Sequence, residues 1–195
     1  MGITIVLGIA VAACAAGAIL THREELRRWH YVFKPLATLL ILLLAWLGPA
    51  DASPGTRLLI GCGLVASLMG DIWLMLPQDR FLQGIASFAV AQACYIAAFG
   101  AALSARPAWW TALPYLAYAA AVMALLWRGA GPLRLPVAIY ALLLTSMAWA
   151  AGARWAQART GTALAGWIGA VLFVASDSML ALDRFRAPIP RAPLW

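Results

Sequence analysis

Long apolar runs separated by short polar breaks follow one another along the whole chain. Seven of them have about 17–25 residues, and at about 1.5 Å per residue a helix of that length crosses a hydrocarbon layer about 30 Å thick. The predicted spans are residues 3–20, 33–49, 58–76, 81–103, 108–126, 134–152 and 161–182. The breaks are too short to hold a soluble domain, so the pattern predicts one all-α domain over residues 1–195, a polytopic membrane helix bundle.

Composition and charge agree with a membrane protein and add an orientation. Hydrophobic residues make up 65% of the chain, against about 45–50% in soluble domains. Cytoplasmic connections retain Lys and Arg, and alternate connections carry ten on one side and four on the other. We therefore expect an integral protein of a bacterial inner (plasma) membrane with its N-terminus outside. The net charge of +7 then reflects topology and does not indicate a nucleic-acid partner.

The first span also has features of a processed segment. Its "VAAC", ending at Cys14, resembles a lipoprotein cleavage site, and the run resembles a signal peptide, but such signals carry a positive region that is absent here. We expect the helix to be retained. Cys14, Cys62 and Cys94 lie scattered in apolar spans without paired spacing. Neither a disulfide framework nor a metal site is indicated, and we expect no cofactor.

Two carboxylates fall inside predicted spans, whereas the other five acidic residues lie in connections or at span ends. Asp71 and Asp177 each precede a predicted helix end, Leu76 or Leu182, by five residues. On parallel helices they would share one depth, toward the cytoplasmic leaflet, and could form one site. An Asp at mid-helix costs about 2.5–3.5 kcal/mol on insertion scales, so such residues are usually kept for function. The alternative is a structural hydrogen bond between helices.

The sequence almost repeats itself around the two aspartates. "DIWLMLPQDRF" starts at Asp71 and "DSMLALDRF" at Asp177, and both contain D-x-x-L-x-L followed by D-R-F. This repeat indicates a possible parallel duplication of four helices plus four. Asp177 is also flanked by Ser176 and Ser178, which can supply hydroxyl hydrogen bonds.

Helical spacing gives Asp71 a face of small residues. Gly63, Ser67, Gly70 and Asp71 fall at i, i+4, i+7 and i+8, and small residues mark the face on which membrane helices approach closely.

Aromatic and polar residues share one face of the next predicted span. They are Gly84, Phe88, Gln92, Tyr95 and Phe99. This face is either a ligand groove or helix packing. On the cytoplasmic side, Lys34 either binds a phosphate or snorkels to the interface.

Four stretches resemble a known family: "FKPLATLLILLLAW", "SLMGDIWLMLPQDRFLQGIASF", "YIAAF" and "FVASDSMLALDRFR". They are similar to the YhhN-like lysoplasmalogenases, including the vertebrate transmembrane members, and the resemblance spans residues 28–187. It implies a multi-helix membrane hydrolase that cleaves the vinyl ether bond of lysoplasmalogens to a fatty aldehyde and glycerophosphoethanolamine or glycerophosphocholine. The catalytic pair that it implies is Asp71 and Asp177.

The chain departs from the family pattern at two places. Gln92 stands where members often have a histidine one turn before Tyr95, so a histidine acid or base is absent there. Members also continue past the R-F motif into a last helix, whereas the printed sequence ends in "RAPIPRAPLW". Seven helices are therefore expected in this chain, without the family's eighth.

A carboxyl pair suits vinyl ether hydrolysis. One neutral carboxyl can protonate the β-carbon, and an ionised one can stabilise the resulting cation and take a proton from water. Burial in lipid and a nearby like charge both favour the neutral form of one member of such a pair. A lysophospholipid in a membrane would be the partner, and we expect these residues to bind it: Lys34, Ser67, Arg80, Gln92, Tyr95 and Ser178. The alternative is a proton- or cation-coupled transporter that uses the same two aspartates.

Overall fold

In this computed structural model, all regular secondary structure of the described part is helical. It comprises residues 53–76 and 80–186, with positions 10, 13, 36, 38–43 and 46, and contains no strand. We number the long helices of the two main ranges α1 to α5. They are α1 Pro54–Met75, α2 Phe81–Ala101, α3 Leu113–Leu126, α4 Arg134–Ala158 and α5 Gly161–Phe185. Short 3₁₀ turns at Trp109–Ala112 and Gly131–Leu133 lead into α3 and α4.

Each of these helices can cross a membrane. The described residues contain five helices that are long and apolar enough, with the 3₁₀ turns counted as the starts of α3 and α4. Large apolar side chains such as Leu172 and Leu135 are exposed, by 64% and 69%, as expected of residues that face lipid. The all-α membrane fold is confirmed. The predicted spans 3–20 and 33–49 lie largely outside the described residues, so the count of seven stays a prediction.

Helix ends differ from the predicted ones where a capping residue lies beyond the apolar run. α1 begins at Pro54, four residues before the predicted span, because the Ser53 side chain accepts a hydrogen bond from the Thr56 amide at 3.2 Å. Proline also fits the first turn of a helix. α4 continues past its predicted end to Ala158 and stops where Arg159 adopts a left-handed conformation with φ of 52°.

The end of α5 corrects one prediction about the aspartates. α5 runs past Leu182 to Phe185, so Asp177 lies eight residues before the end of its helix. Asp71 lies four residues before Met75, where α1 ends. The prediction that each aspartate precedes a helix end by five residues was therefore wrong. The larger difference is in α5, because its charged last residues continue the helix after the apolar pattern has stopped. Their equal depth in a membrane stays a prediction.

The chain divides into two compact units, and the boundary between them falls within α2. We call them the N-terminal unit, up to Ala98, and the C-terminal unit, from Phe99. The single domain and the four-plus-four duplication both stay predictions.

In the N-terminal unit, α1 and α2 pack against each other in antiparallel order. A Cβ added at Gly70 would lie 2.7 Å from the Phe88 ring, and one at Gly84 would lie 2.6 Å from Leu74. A Cβ at Gly63 would likewise collide with the Tyr95 ring. The predicted small-residue face of α1 is therefore confirmed as the face that α2 approaches closely.

In the C-terminal unit, α4 packs against both α3 and α5. Its core is built from alanines and larger apolar residues, among them Leu126, Val137, Leu144, Met147, Ala148, Ala151 and Val174. Gly129, in the connection from α3 to α4, lies so close to the backbone of Phe185 that no other residue fits there. This contact holds the connection against the end of α5.

Candidate functional site

Asp71 lies on α1 of the N-terminal unit and is half-buried. The Thr38 hydroxyl donates a hydrogen bond to its Oδ2 at 3.4 Å. One turn earlier on α1, buried Ser67 shares a hydrogen bond of 3.2 Å with the Tyr95 hydroxyl on α2. The structure therefore brings together two of the predicted binding residues, Ser67 and Tyr95, one helical turn from the predicted catalytic Asp71.

Gln92 on α2 has an unusual environment for an amide side chain. It is fully buried, and among the described residues neither its Nε2 nor its Oε1 has a hydrogen-bond partner. Leaving such a group unpaired costs about 1–3 kcal/mol, so most buried polar groups are paired. Phe88 and Tyr95 lie one turn to either side of it, on the aromatic face that the sequence predicts. The predicted contact of Gln92 with a substrate stays a prediction.

Arg80 and Lys34 are the two cationic residues that the sequence suggests for a phosphate. The Arg80 guanidinium lies over the Trp73 ring, 5.2 Å from its centroid. The Arg80 carbonyl accepts a hydrogen bond from Gly84 in the first turn of α2. The arginine is therefore held at the connection between α1 and α2. Lys34 lies outside the described residues.

Asp177 lies on α5 of the C-terminal unit and is half-buried. The Tyr140 hydroxyl on α4 donates a hydrogen bond to its Oδ2. The sequence analysis missed Tyr140 and also Thr38. The signal for Tyr140 is weak, since a hydroxyl within an apolar helix indicates a polar partner without saying which one.

Ser178 follows Asp177 but uses its hydroxyl within the C-terminal unit. It accepts a hydrogen bond from the Tyr118 hydroxyl at 2.9 Å and donates one to the Val174 carbonyl at 2.7 Å. The residue is buried. Its predicted contact with a substrate stays a prediction, and Tyr118 is a third hydroxyl partner that the sequence analysis missed.

Metal ligands do not cluster in the part of the chain that the structure describes. No group of three or more His, Cys, Asp and Glu residues there could hold a metal ion. Cys62 and Cys94 are free thiols. Asp71 belongs to the N-terminal unit and Asp177 to the C-terminal unit, so their pairing in one site stays a prediction.

Comparison with known proteins gives the family. Residues 29–195 match the model of the YhhN family. The chain is similar to the uncharacterized membrane protein YhhN of Escherichia coli, with 34% identity over 161 residues that cover 82% of this chain and 75% of that protein. No solved structure matches the chain.

Vertebrate relatives of the chain carry an enzyme name. The lysoplasmalogenase TMEM86B of Homo sapiens is 32% identical over 184 residues, which cover 94% of this chain and 76% of that protein. The Mus musculus lysoplasmalogenase TMEM86B is 37% identical over 162 residues, which cover 83% of this chain and 65% of that protein. Because the family model matches most of this chain, this helical membrane protein belongs to the YhhN family.

Proposed function

We propose that this protein is a membrane hydrolase of the lysoplasmalogenase type. It cleaves the vinyl ether bond of a lysoplasmalogen to a fatty aldehyde and glycerophosphoethanolamine or glycerophosphocholine. The observation that carries the proposal is the similarity to the Homo sapiens lysoplasmalogenase over 94% of this chain. The relatives reported above give no support to the transporter alternative.

The geometry of each aspartate supports its use in acid–base chemistry. A catalytic carboxyl must be held in one orientation, and each of the two accepts a hydrogen bond from a hydroxyl group, Thr38 for Asp71 and Tyr140 for Asp177. Each of these hydroxyls restricts rotation of the carboxylate to which it donates. We assign Thr38 and Tyr140 as positioning residues.

The proposed reaction uses one neutral and one ionised carboxyl. The neutral one transfers its proton to the β-carbon of the vinyl ether, and the resulting oxocarbenium ion is stabilised by the ionised one. Water adds to the cation and gives its proton to the ionised carboxyl. The hemiacetal that forms then breaks its bond to the glycerol oxygen, which takes a proton from the second, now neutral carboxyl and leaves as the alcohol. The first carboxyl, now ionised, takes the proton of the hemiacetal hydroxyl as the aldehyde is released, so both carboxyls return to their starting states.

Turnover in D₂O tests this reaction directly. Protein in mixed micelles with 1-alkenyl lysophosphatidylethanolamine should release aldehyde with one deuterium at C2, trapped by reduction as it forms. The saturated 1-alkyl lysolipid serves as the matched substrate control and should remain intact. Release of aldehyde without C2 deuterium would exclude carbon protonation, and cleavage of the saturated ether or the phosphodiester would exclude the proposed bond.

Cysteine cross-linking tests whether the two carboxyls share one site. In a variant without Cys14, Cys62 and Cys94, Asp71→Cys with Asp177→Cys should form a disulfide on mild oxidation. The same experiment with Asp183→Cys in place of Asp177→Cys is the control. Equal cross-linking of both pairs, or of neither, would contradict a common site.

A further inference from the structure

The C-terminal unit has a groove between α3, α4 and α5, with a volume of about 370 Å³, a size common for small-ligand sites. The hydroxyl groups of Tyr118 and Thr145 in its lining already have partners, because Tyr118 donates to Ser178 and Thr145 donates to the Ala141 carbonyl at 2.8 Å. The surface left for a ligand is therefore mainly hydrocarbon. The lining includes Tyr115, Tyr118, Ala148, Val171, Val174 and Ala175.

The groove lies along the part of α5 that precedes Asp177. Ala175, Val174 and Val171 precede Asp177 by two, three and six residues, which is about 3–9 Å along the helix axis. In a lysoplasmalogen, the hydrocarbon chain starts at the vinyl ether carbons and points away from the head group. A substrate whose vinyl ether reached Asp177 would therefore have its chain beside this groove.

Tyr115 stands between this groove and a second cavity. The second cavity has a volume of about 330 Å³, also has Tyr115 in its lining, and is surrounded by Trp149, Trp155 and Trp167. The Trp167 indole nitrogen donates a hydrogen bond to the Tyr115 hydroxyl at 3.1 Å. A Cβ added at Gly152 would lie 2.7 Å from the same hydroxyl. The tyrosine ring is thus held firmly at the far end of the groove.

We propose that this groove binds the hydrocarbon chain of the lysolipid and that Tyr115 closes its far end, so that Tyr115 sets the preferred chain length. This inference rests on the proposed function for the identity of the lipid. The chain lies along α5 with its vinyl ether carbons at Asp177 and its methyl end at the Tyr115 ring. Chains that are too long for the groove bind less well because the Tyr115 ring blocks their last methylenes.

Photolabelling tests the groove without any turnover. The probe is a saturated 1-alkyl lysophosphatidylcholine with a diazirine at the chain end. In the wild-type protein, label should appear on groove residues of α3, α4 and α5, and Ala175→Phe should abolish it by filling the groove. Leu172→Phe is the matched control, because Leu172 lies on the same helix, is 64% exposed and does not line the groove. Labelling that is equal in both variants would overturn the proposal.

The chain-length profile tests the role of Tyr115. Tyr115→Leu removes the ring that blocks a longer chain and opens the second cavity, so it should raise kcat/KM for octadecenyl over dodecenyl substrates several-fold. The photolabel should move to the tryptophans of that cavity in the same variant. Tyr115→Phe keeps the ring and should keep the wild-type profile. An unchanged profile and an unmoved label in Tyr115→Leu would exclude Tyr115 as the end of the groove.

The two proposals fail in different ways. If no vinyl ether is cleaved but the label enters the groove and responds to Ala175→Phe, the enzyme function is wrong and the groove is a lipid site. If aldehyde is released but neither label nor chain profile responds to the variants, the groove proposal is wrong and the enzyme function stands.

Discussion

Asp71 in the N-terminal unit and Asp177 in the C-terminal unit begin nearly the same sequence motif, yet their hydrogen-bond donors differ. The donor to Asp71 is an aliphatic hydroxyl, Thr38, at 3.4 Å, which is long for such a bond. The donor to Asp177 is a phenol, Tyr140, in close contact. A phenol is the stronger donor. The repeat of the motif therefore does not extend to these two donors, which lie on other helices.

A second difference concerns the serine beside each carboxylate. Ser67, one turn before Asp71, shares a hydrogen bond with Tyr95 and lies across from the aromatic face that contains the unpaired Gln92 amide. Ser178, next to Asp177, has both a donor and an acceptor within its own unit. The polar groups of the N-terminal unit thus include one buried amide without a hydrogen-bond partner among the described residues, whereas the hydroxyls of Tyr118 and Ser178 are paired with each other.

The largest effect should come from removing either carboxylate. We expect Asp71→Asn and Asp177→Asn each to lower kcat by about 10²–10⁴, because each removes an acid or base contribution. If the two residues act as a unit in one site, the double variant should lose little more than either single one. The measurement is aldehyde release, with thermal unfolding as the control for folding. Near-wild-type turnover of one variant would remove that residue from the mechanism.

Loss of the Tyr140 hydroxyl should lower kcat more than loss of the Thr38 hydroxyl. Tyr140→Phe removes a hydrogen bond to a charged group, worth about 1.5–3 kcal/mol, or about 10- to 100-fold in kcat. Thr38→Val should cost less than about tenfold, because its bond is longer. KM should change little in both variants if they only position the carboxyls. Thr111→Val, at an exposed hydroxyl that bonds the Ala108 carbonyl, is the control. A larger loss from Thr38→Val would reverse the comparison.

Gln92→Leu should separate stability from activity. The leucine has a similar size and removes a buried unpaired amide, so the free energy of unfolding should rise by about 1–3 kcal/mol. If the amide binds the substrate, kcat/KM should fall in the same variant. A fall in stability would mean that the amide has a partner in the folded protein, and unchanged kcat/KM would remove Gln92 from the binding site.

The smallest effect should come from Ser178→Ala. Its hydroxyl is fully paired, and hydrogen bonds within membrane proteins average about 0.6 kcal/mol, so the free energy of unfolding should fall by about that amount. The direction is opposite to that of Gln92→Leu, and chemical denaturation of both variants in the same detergent checks the contrast. A gain in stability on loss of the Ser178 hydroxyl would contradict the hydrogen bonds seen here.

The local pattern of apolar and small residues was sufficient to predict much of the fold and part of the site. Apolar runs of membrane length became α1 to α5, and the spacing of Gly63, Ser67 and Gly70 correctly predicted the close face between α1 and α2. Helix ends were less predictable. The cap formed by Ser53 and Pro54 and the charged end of α5 extend the helices beyond their apolar runs.

The sequence by itself was enough to predict the helices α1 to α5, the family and the positions of the two aspartates within helices. The helices were predictable because backbone geometry gives every helix the same period, and the family because its motifs are continuous in sequence. Only the tertiary structure decided which hydroxyls meet these aspartates. Thr38 and Asp71 lie 33 residues apart, Tyr140 and Asp177 lie 37 apart, and Tyr118 and Ser178 lie 60 apart. Such contacts depend on how each helix is rotated and shifted against its neighbours. That rotation and shift result from the packing of many side chains that are distant in sequence. The same is true of the groove that Tyr115 lines, since it exists only between three packed helices.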